Sequence, residues 1–115
     1  MRSFLFILCF PVCALADGFA LLEGDQPLPR PEVIALTANQ SLVFFEGGVS
    51  QYSVGGAYSY TYAGGGTAFG RYRIDPDGVI CVDFRNGRHR CDQFVRSHGR
   101  VVMVTEDGQR FPVRP

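Results

Sequence analysis

The residues best suited to chemistry in this chain are two cysteines of its second half, Cys81 and Cys91. They flank Asn86-Gly87, a dipeptide that favours the tight turn of a β-hairpin because both residues tolerate positive φ. Thiols on the two strands of one hairpin predict a disulfide when the register places them directly opposite each other. We therefore predict a Cys81–Cys91 crosslink and, with it, an oxidising compartment.

The turn type decides whether this crosslink can form. A two-residue turn at Asn86-Gly87 would leave the cysteines on opposite faces, whereas a three-residue loop with Gly87 in the left-handed region sets Cys81 against Cys91. The two-residue register has separate support, because it gathers a set of apolar residues on one face: Ile80, Val82, Phe84, Cys91 and Val95. The disulfide favours the three-residue loop, because only that register sets the cysteines opposite each other. An extra bulge between residues 88 and 91 would allow both the disulfide and the apolar grouping.

Other arrangements of reactive residues lack a distinctive spacing. The glycine-rich segment 62–67 has no lysine and no following helix, so it is predicted to be a hairpin tip and not a phosphate loop. His89 and His98 are interpreted as solvated side chains, and the spacing of the histidines and cysteines is not that of familiar zinc sites. The segment 75–78 is too short to supply the oxygens that calcium requires. We predict no catalytic residue, no metal ligand and no cofactor.

Tyrosines recur with the period of a β-strand. Tyr58, Tyr60 and Tyr62 fall on one face of a strand, and Tyr72 lies in the next strand. Their rings are expected to cover one side of a small core with the hydroxyls at its rim. The alternative is a stacking platform for a sugar or another planar ligand.

Arginines form a second candidate surface around the cysteine hairpin. They are interpreted as an anion-binding cluster, because the guanidinium fork suits carboxylates and phosphates. The cluster contains Arg71, Arg73, Arg88 and Arg90. The alternative is that these side chains face solvent and pair with nearby aspartates. The hairpin tip 85–90 is also a candidate inhibitory loop.

Turn residues at regular intervals predict the architecture that holds these groups. Short β-prone runs lie at 42–46, 49–54, 57–63, 68–75, 79–84, 88–95, 100–105 and 109–113, separated by glycine-containing turns. Connections this short join antiparallel neighbours. We predict an all-β meander of six to eight strands that closes into a barrel or sandwich, with a short helix near residues 31–38.

The N-terminus predicts export. Arg2, an apolar run at 4–12 and the small-x-small motif Ala14-Leu15-Ala16 are typical of a cleaved secretory signal peptide over residues 1–16. The predicted organisation continues with an irregular arm at 17–31 and a single β-domain at 32–115. The product would be periplasmic or secreted, with no transmembrane segment after cleavage.

Charge limits the classes of partner. Acidic and basic residues balance to zero, and within the basic second half the signs alternate, which argues against a nucleic-acid surface. We expect an envelope protein or polymer as partner and a monomer or weak dimer. The apolar segment 42–45 is either core or a dimer seam.

Segment 70–84, followed by Arg90-Cys91-Asp92 and by 108–113, resembles a pattern in small secreted proteobacterial proteins of unassigned function. In these, a Gly-x-aromatic strand leads through Asp-Gly to a first cysteine, and a second cysteine follows in the next strand. The resemblance covers about residues 41–113. It implies a small periplasmic β-domain and transfers no active site.

The function predicted from these features is binding without catalysis, with a protein, an envelope polymer or a small ligand as the bound species. The alternatives are a small hydrolase or isomerase with dispersed site residues, and an enzyme inhibitor that presents the 85–90 tip.

Overall fold

Nine strands and one helix make up residues 18–115, the part of the chain that the computed structural model describes. The predicted signal peptide lies outside the described residues. In chain order the elements are β1 (Gln26–Pro27), α1 (Arg30–Thr37), β2 (Ser41–Val43), β3 (Val49–Tyr52), β4 (Ala57–Thr61), β5 (Thr67–Ile74), β6 (Ile80–Phe84), β7 (His89–Ser97), β8 (Arg100–Thr105) and β9 (Arg110–Pro112).

The strands form one antiparallel meander. Strands β2 to β9 lie side by side in chain order, and β1 pairs with β7 off this path. The sheet curls into a half-barrel, and a single bridge between Phe44 and Val113 joins its first strand to its last. The all-β prediction is confirmed, and each of the eight predicted runs contains a strand. The ninth strand, β1, lies inside the segment expected to be irregular.

The apolar segment 42–45 is buried or hydrogen-bonded to other parts of the same chain. Phe44 is fully buried, and the backbone N–H of Phe45 donates to the carbonyl of Pro112 at 3.1 Å. The backbone N–H of Arg114 in turn donates to the carbonyl of Val43 at 2.7 Å. This edge of the sheet is therefore covered by the C-terminal residues.

Helix α1 covers one end of the half-barrel. Pro31 stands in its first turn, where a missing N–H costs nothing, and Val33 and Thr37 are buried. Arg30 holds the helix start to the end of β5 through a hydrogen bond from Nη2 to the carbonyl of Ile74 at 3.3 Å. Within residues 18–115, no helix has the length and apolar character needed to cross a bilayer.

Large and small residues alternate across the inner face of the sheet. Register places Gly70 between Tyr58 on β4 and Phe84 on β6. A Cβ atom at Gly70 would lie 2.4 Å from the carbonyl oxygen of Asp83, so no other residue fits there without a shift of the backbone. The rings of Tyr58 and Phe84 meet edge to face over this glycine, with centroids 6.0 Å apart.

The outer face of β7 and β8 is covered by the N-terminal arm. Val95, Val102 and Val104 are buried on this face, with Phe19 and Leu21 packed against them. The arm is also held by an ion pair, in which Arg110 donates two hydrogen bonds to Asp25, at 2.8 and 2.9 Å. Strand β7 is therefore buried on both faces, although part of its cover is distant in sequence.

The cysteine hairpin has the three-residue loop. Cys81 pairs directly with Cys91, and their sulfur atoms form the disulfide. Gly87 has φ of 90° and donates its N–H to the carbonyl of Phe84 at 3.0 Å, as the left-handed position of this loop requires. The prediction of the disulfide and its loop is confirmed.

The prediction that Cys91 and Val95 share a face with Ile80, Val82 and Phe84, which supported the two-residue turn, is wrong. The ladder runs without a bulge from the loop to the pair Ile80 and Asp92, so Cys91 and Val95 face outward. The residues that share the inner face with Ile80, Val82 and Phe84 are Arg90, Asp92 and Phe94. Hydrophobicity misled here because the outer face of β7 is buried as well.

Candidate ligand-binding cleft

A cleft of about 540 Å³ opens at the end of the half-barrel opposite α1. Its lining comes from the end of β4, the start of β5, the β6–β7 hairpin, the turn between β8 and β9, and Glu46. The inner face of the sheet reaches solvent at this end, and a second, apolar cleft of about 410 Å³ lies beside α1, lined in part by Leu36, Leu42 and Val101.

Arg90 lies at the base of the cleft. Its Nε donates to both carboxylate oxygens of Asp92, at 3.0 and 3.1 Å, and its Nη2 donates to the hydroxyl of Tyr58 at 2.7 Å. The guanidinium carbon lies 5.8, 5.5 and 5.6 Å from the ring centroids of Tyr58, Tyr60 and Phe84. A cation enclosed by three aromatic rings gains from their negative faces, and the gain is larger where water is excluded.

Asp92 is the buried counter-charge. Its side chain has no exposed surface, and desolvation raises its pKa to about 6 although Arg90 acts in the opposite direction. Burial alone would lower the pKa of Arg90, but Asp92 and Tyr58 outweigh burial and raise it. Arg90 therefore keeps its charge at any working pH, while Asp92 loses its charge in mildly acidic solution.

A hydroxyl network continues from Arg90 into the core. The hydroxyls of Tyr58 and Ser50 lie 2.8 Å apart, and burial raises the pKa of Tyr58. Tyr52 packs against Tyr58 with ring centroids 5.1 Å apart, and its own buried hydroxyl has no hydrogen-bond partner among the described residues. These groups orient Arg90 and are not accessible from the cleft.

Glu46 holds the rim of the cleft. It accepts hydrogen bonds from the hydroxyl of Tyr60 at 3.1 Å and from the backbone N–H of Gly48. Burial, with the adjacent carboxylate, raises the pKa of Tyr60, so this phenol stays protonated and remains a donor. Tyr62 stands at the mouth and packs edge to face on Tyr60, with centroids 5.0 Å apart.

The four predicted tyrosines separate by depth. Tyr58 and Tyr60 are buried, Tyr72 is half-buried against Tyr52, and Tyr62 is exposed. Tyr58, Tyr60 and Tyr72 form one side of the core, and Tyr60 and Tyr62 line the cleft. An open, flat platform of four rings is not present in the described structure.

The four predicted arginines do not form one surface. Arg90 points inward and Arg88 lies at the cleft rim. Arg71 and Arg73 lie on the outer face of β5, where Arg71 donates to the carbonyl of Gly55 and Arg73 pairs with Asp75 at 3.3 Å. An anion in the cleft could meet only Arg88 and Arg90 of this group.

Two lining residues of the cleft, Glu46 and Phe84, were not among the predicted site residues, and neither were Tyr52 and Asp92, which lie buried behind it. One signal was available, because residues two apart in a strand share a face and Arg90, Asp92 and Phe94 therefore belong together. A charged pair in a strand usually indicates a face exposed to solvent. Only the curled sheet shows that Arg90 and Asp92 lie on its buried inner face.

No protein-family model matches the chain, and no curated protein or solved structure matches it. Function is therefore inferred from the cleft itself.

Proposed function

We propose that this chain is an exported binding protein without catalytic activity, whose cleft takes a small ligand with an anionic group beside an aromatic or apolar part. The observation that carries this proposal is the position of Arg90, a permanent cation enclosed by three rings at the base of a cleft. Small-ligand sites combine such apolar walls with a few fixed polar groups.

Arg90 keeps hydrogen-bonding capacity for a ligand. Asp92 occupies Nε and Tyr58 occupies Nη2, while Nη1 makes no hydrogen bond to another described residue. About a quarter of the Arg90 side chain is exposed, at 24%. Its rotamer is already held, so a carboxylate or phosphate would meet a guanidinium that loses little further entropy.

Binding is favoured over catalysis by the placement of the carboxylates. Asp92 is fully enclosed and cannot contact a ligand, and Glu46 is engaged by Tyr60 and Gly48. The other two carboxylates of the lining are also engaged within the chain, since Glu106 accepts from the N–H of Cys91 and Asp107 accepts from the hydroxyl of Thr105. The inhibitor alternative is weakened because Arg85 of the tip stacks on Phe69, with Cζ 5.4 Å from the ring centroid. That contact folds the tip back onto β5.

Export is supported by the signal-like N-terminus together with the disulfide, since such crosslinks persist in oxidising compartments. Membership of the small secreted proteobacterial β-domains stays a prediction.

The test is a titration monitored by amide NMR shifts, with benzoate as the probe and benzamide as its neutral, isosteric control. We expect benzoate alone to shift residues around the cleft. Arg90→Lys keeps the charge but loses the fork, and should weaken benzoate binding by about tenfold, the value of one charge-assisted hydrogen bond. Arg73→Ala, on the outer face, is the matched control and should change nothing.

Acidification sharpens the same test. Protonation of Asp92, with a pKa of about 6, removes the internal counter-charge of Arg90. Benzoate, which stays ionised at pH 5.5, should therefore bind more tightly at pH 5.5 than at pH 7.5. Equal shifts from benzoate and benzamide, or an Arg90→Lys variant with unchanged affinity, would refute the proposal.

A further inference from the structure

The outer face of the β6–β7 hairpin gathers three soft or borderline donor atoms. The sulfurs of Cys81 and Cys91 and a ring nitrogen of His89 all lie within 4.8 Å of one another. His89 Nε2 is 3.4 Å from the sulfur of Cys91. His89 and Cys91 are next-but-one neighbours on β7 and Cys81 is paired directly with Cys91, so a rigid ladder places all three on one face.

The imidazole of His89 is oriented by a carboxylate. Its Nδ1 lies 2.9 Å from Oδ1 of Asp83, the residue paired with it on β6. A carboxylate oxygen only accepts hydrogen bonds, so Nδ1 donates to Asp83, and Nε2 is the ring nitrogen that faces the sulfurs. Metal-binding histidines are commonly held by this carboxylate contact, which fixes the tautomer and increases the basicity of the ligand nitrogen.

A second carboxylate and an arginine complete the surroundings. Asp75 Oδ2 lies 3.9 Å from the sulfur of Cys81. Arg73 lies beside both acids, with Nε 3.3 Å from Asp75 and Nη1 3.7 Å from Asp83. The arginine compensates one of the two carboxylate charges, so the other carboxylate and the two thiolates would leave net negative charge for a divalent cation.

We propose that reduction of the Cys81–Cys91 disulfide creates a Zn²⁺ site formed by both sulfurs and Nε2 of His89. A dithiol donates two electrons and two protons, the sulfur–sulfur bond breaks, two protein thiols form and the dithiol becomes a disulfide. Zn²⁺ then displaces the two thiol protons into solvent and binds the thiolates and the imidazole. Oxidised protein cannot form this site, because its sulfurs are bonded to each other.

Zinc suits this donor set better than harder cations. Two thiolates and one imidazole match its tetrahedral preference, while magnesium and calcium require oxygen ligands. Three protein donors leave a fourth position, and His89 is on the solvent side of the site. Water or a solute anion would fill that position. The pairing of the two hairpin strands, and not a short Cys-x-x-Cys spacing, brings the donors together, so no familiar zinc-site spacing is present in the sequence.

The test compares the oxidised and phosphine-reduced mature protein, residues 17–115 after the predicted cleavage, in a Zn²⁺ titration against a chromophoric chelator. Reduced wild-type protein should bind a single equivalent, and oxidised protein none. His89→Ala should weaken binding at least tenfold, while His98→Ala, the matched histidine control, should leave it unchanged. Asp83→Asn should weaken it about tenfold by releasing the ring. Cobalt should give sulfur-to-metal charge-transfer absorption in reduced wild-type protein and none in Cys81→Ser/Cys91→Ser.

Folding of the reduced chain is monitored by circular dichroism in the same samples. If the reduced protein unfolds without metal, a single equivalent of Zn²⁺ should restore the β spectrum in wild-type protein and not in His89→Ala. The proposal is overturned if reduced wild-type protein binds no more tightly than the double serine variant, or if His89→Ala binds as wild type does. It is also overturned if the unfolded reduced chain does not refold on zinc addition.

Discussion

The two faces of the β6–β7 hairpin differ in what stabilises them. On the inner face, Arg90 and Asp92 form a buried ion pair under aromatic rings, and the stability that this pair contributes depends on the protonation of Asp92. On the outer face a disulfide joins Cys81 to Cys91, and the stability that this crosslink contributes depends on the oxidation state of the two cysteines. The same backbone supports both because successive residues of a strand point to opposite sides. Two independent chemistries thus occupy one pair of strands.

The largest effect should follow from removal of the inner-face cation. Arg90→Met leaves Asp92 buried without its partner and should lower the free energy of unfolding by about 3 to 5 kcal/mol at pH 7.5. Urea unfolding measures this, with Arg73→Met on the outer face as control, expected within about 0.5 kcal/mol of wild type. The double variant Arg90→Met/Asp92→Asn should recover part of the loss. A loss below about 1 kcal/mol for Arg90→Met would mean that the pair is not stabilising.

The pH dependence of the inner face should be nearly as large. The folded pKa of Asp92, about 6, lies above the value of 3.8 for an unperturbed aspartate, so the folded state favours the protonated acid. The contribution of Asp92 to stability is therefore fully present below pH 4 and is lost as the pH rises through about 6. This difference corresponds to about 3 kcal/mol.

Asp92→Asn isolates that contribution. The free energy of unfolding of wild type relative to this variant should fall between pH 4 and pH 7, as measured in parallel urea titrations. A difference that rises with pH would show that Arg90 outweighs desolvation and would reverse the assignment.

Loss of the outer-face crosslink should cost less. Cys81→Ser/Cys91→Ser removes a link across a separation of 10 residues and should lower the free energy of unfolding by about 2 to 3 kcal/mol. Benzoate affinity at the cleft should not change, because the sulfurs lie on the opposite face. A variant that unfolds like wild type but loses benzoate binding would contradict the independence of the two faces.

The smallest effect concerns the arm that covers the outer face of β7 and β8. The hydrogen bonds from Arg110 hold the pKa of Asp25 below its usual range, so its contribution is present above pH 4 and is lost as the pH falls. This sign is opposite to that of Asp92. Asp25→Asn should cost about 1 kcal/mol at pH 7, with the exposed Glu23→Gln as control. An effect that persists unchanged at pH 3 would exclude the ion pair as its cause.

Local rules account for the part of the fold that was predicted. Few types of tight turn can join antiparallel strands, and glycine adopts the positive φ that most of them require, so the strands and their antiparallel order follow from neighbouring residues. Cys81 and Cys91 selected the three-residue loop because a covalent bond tolerates only one register. Apolar patterning at Val95 failed at the same hairpin, because Phe19 and Leu21 of the arm bury a face that looks exposed from local sequence.

The candidate sites depended on closure of the sheet. By itself the sequence determined the strands, the turn at Gly87 and the shared face of Arg90 and Asp92, since each is set by residues adjacent in the chain. Only the tertiary structure decided that this face is inside. Burial is a property of the whole curled sheet, and Tyr58, 32 residues from Arg90 along the chain, encloses the guanidinium only after the intervening strands have formed.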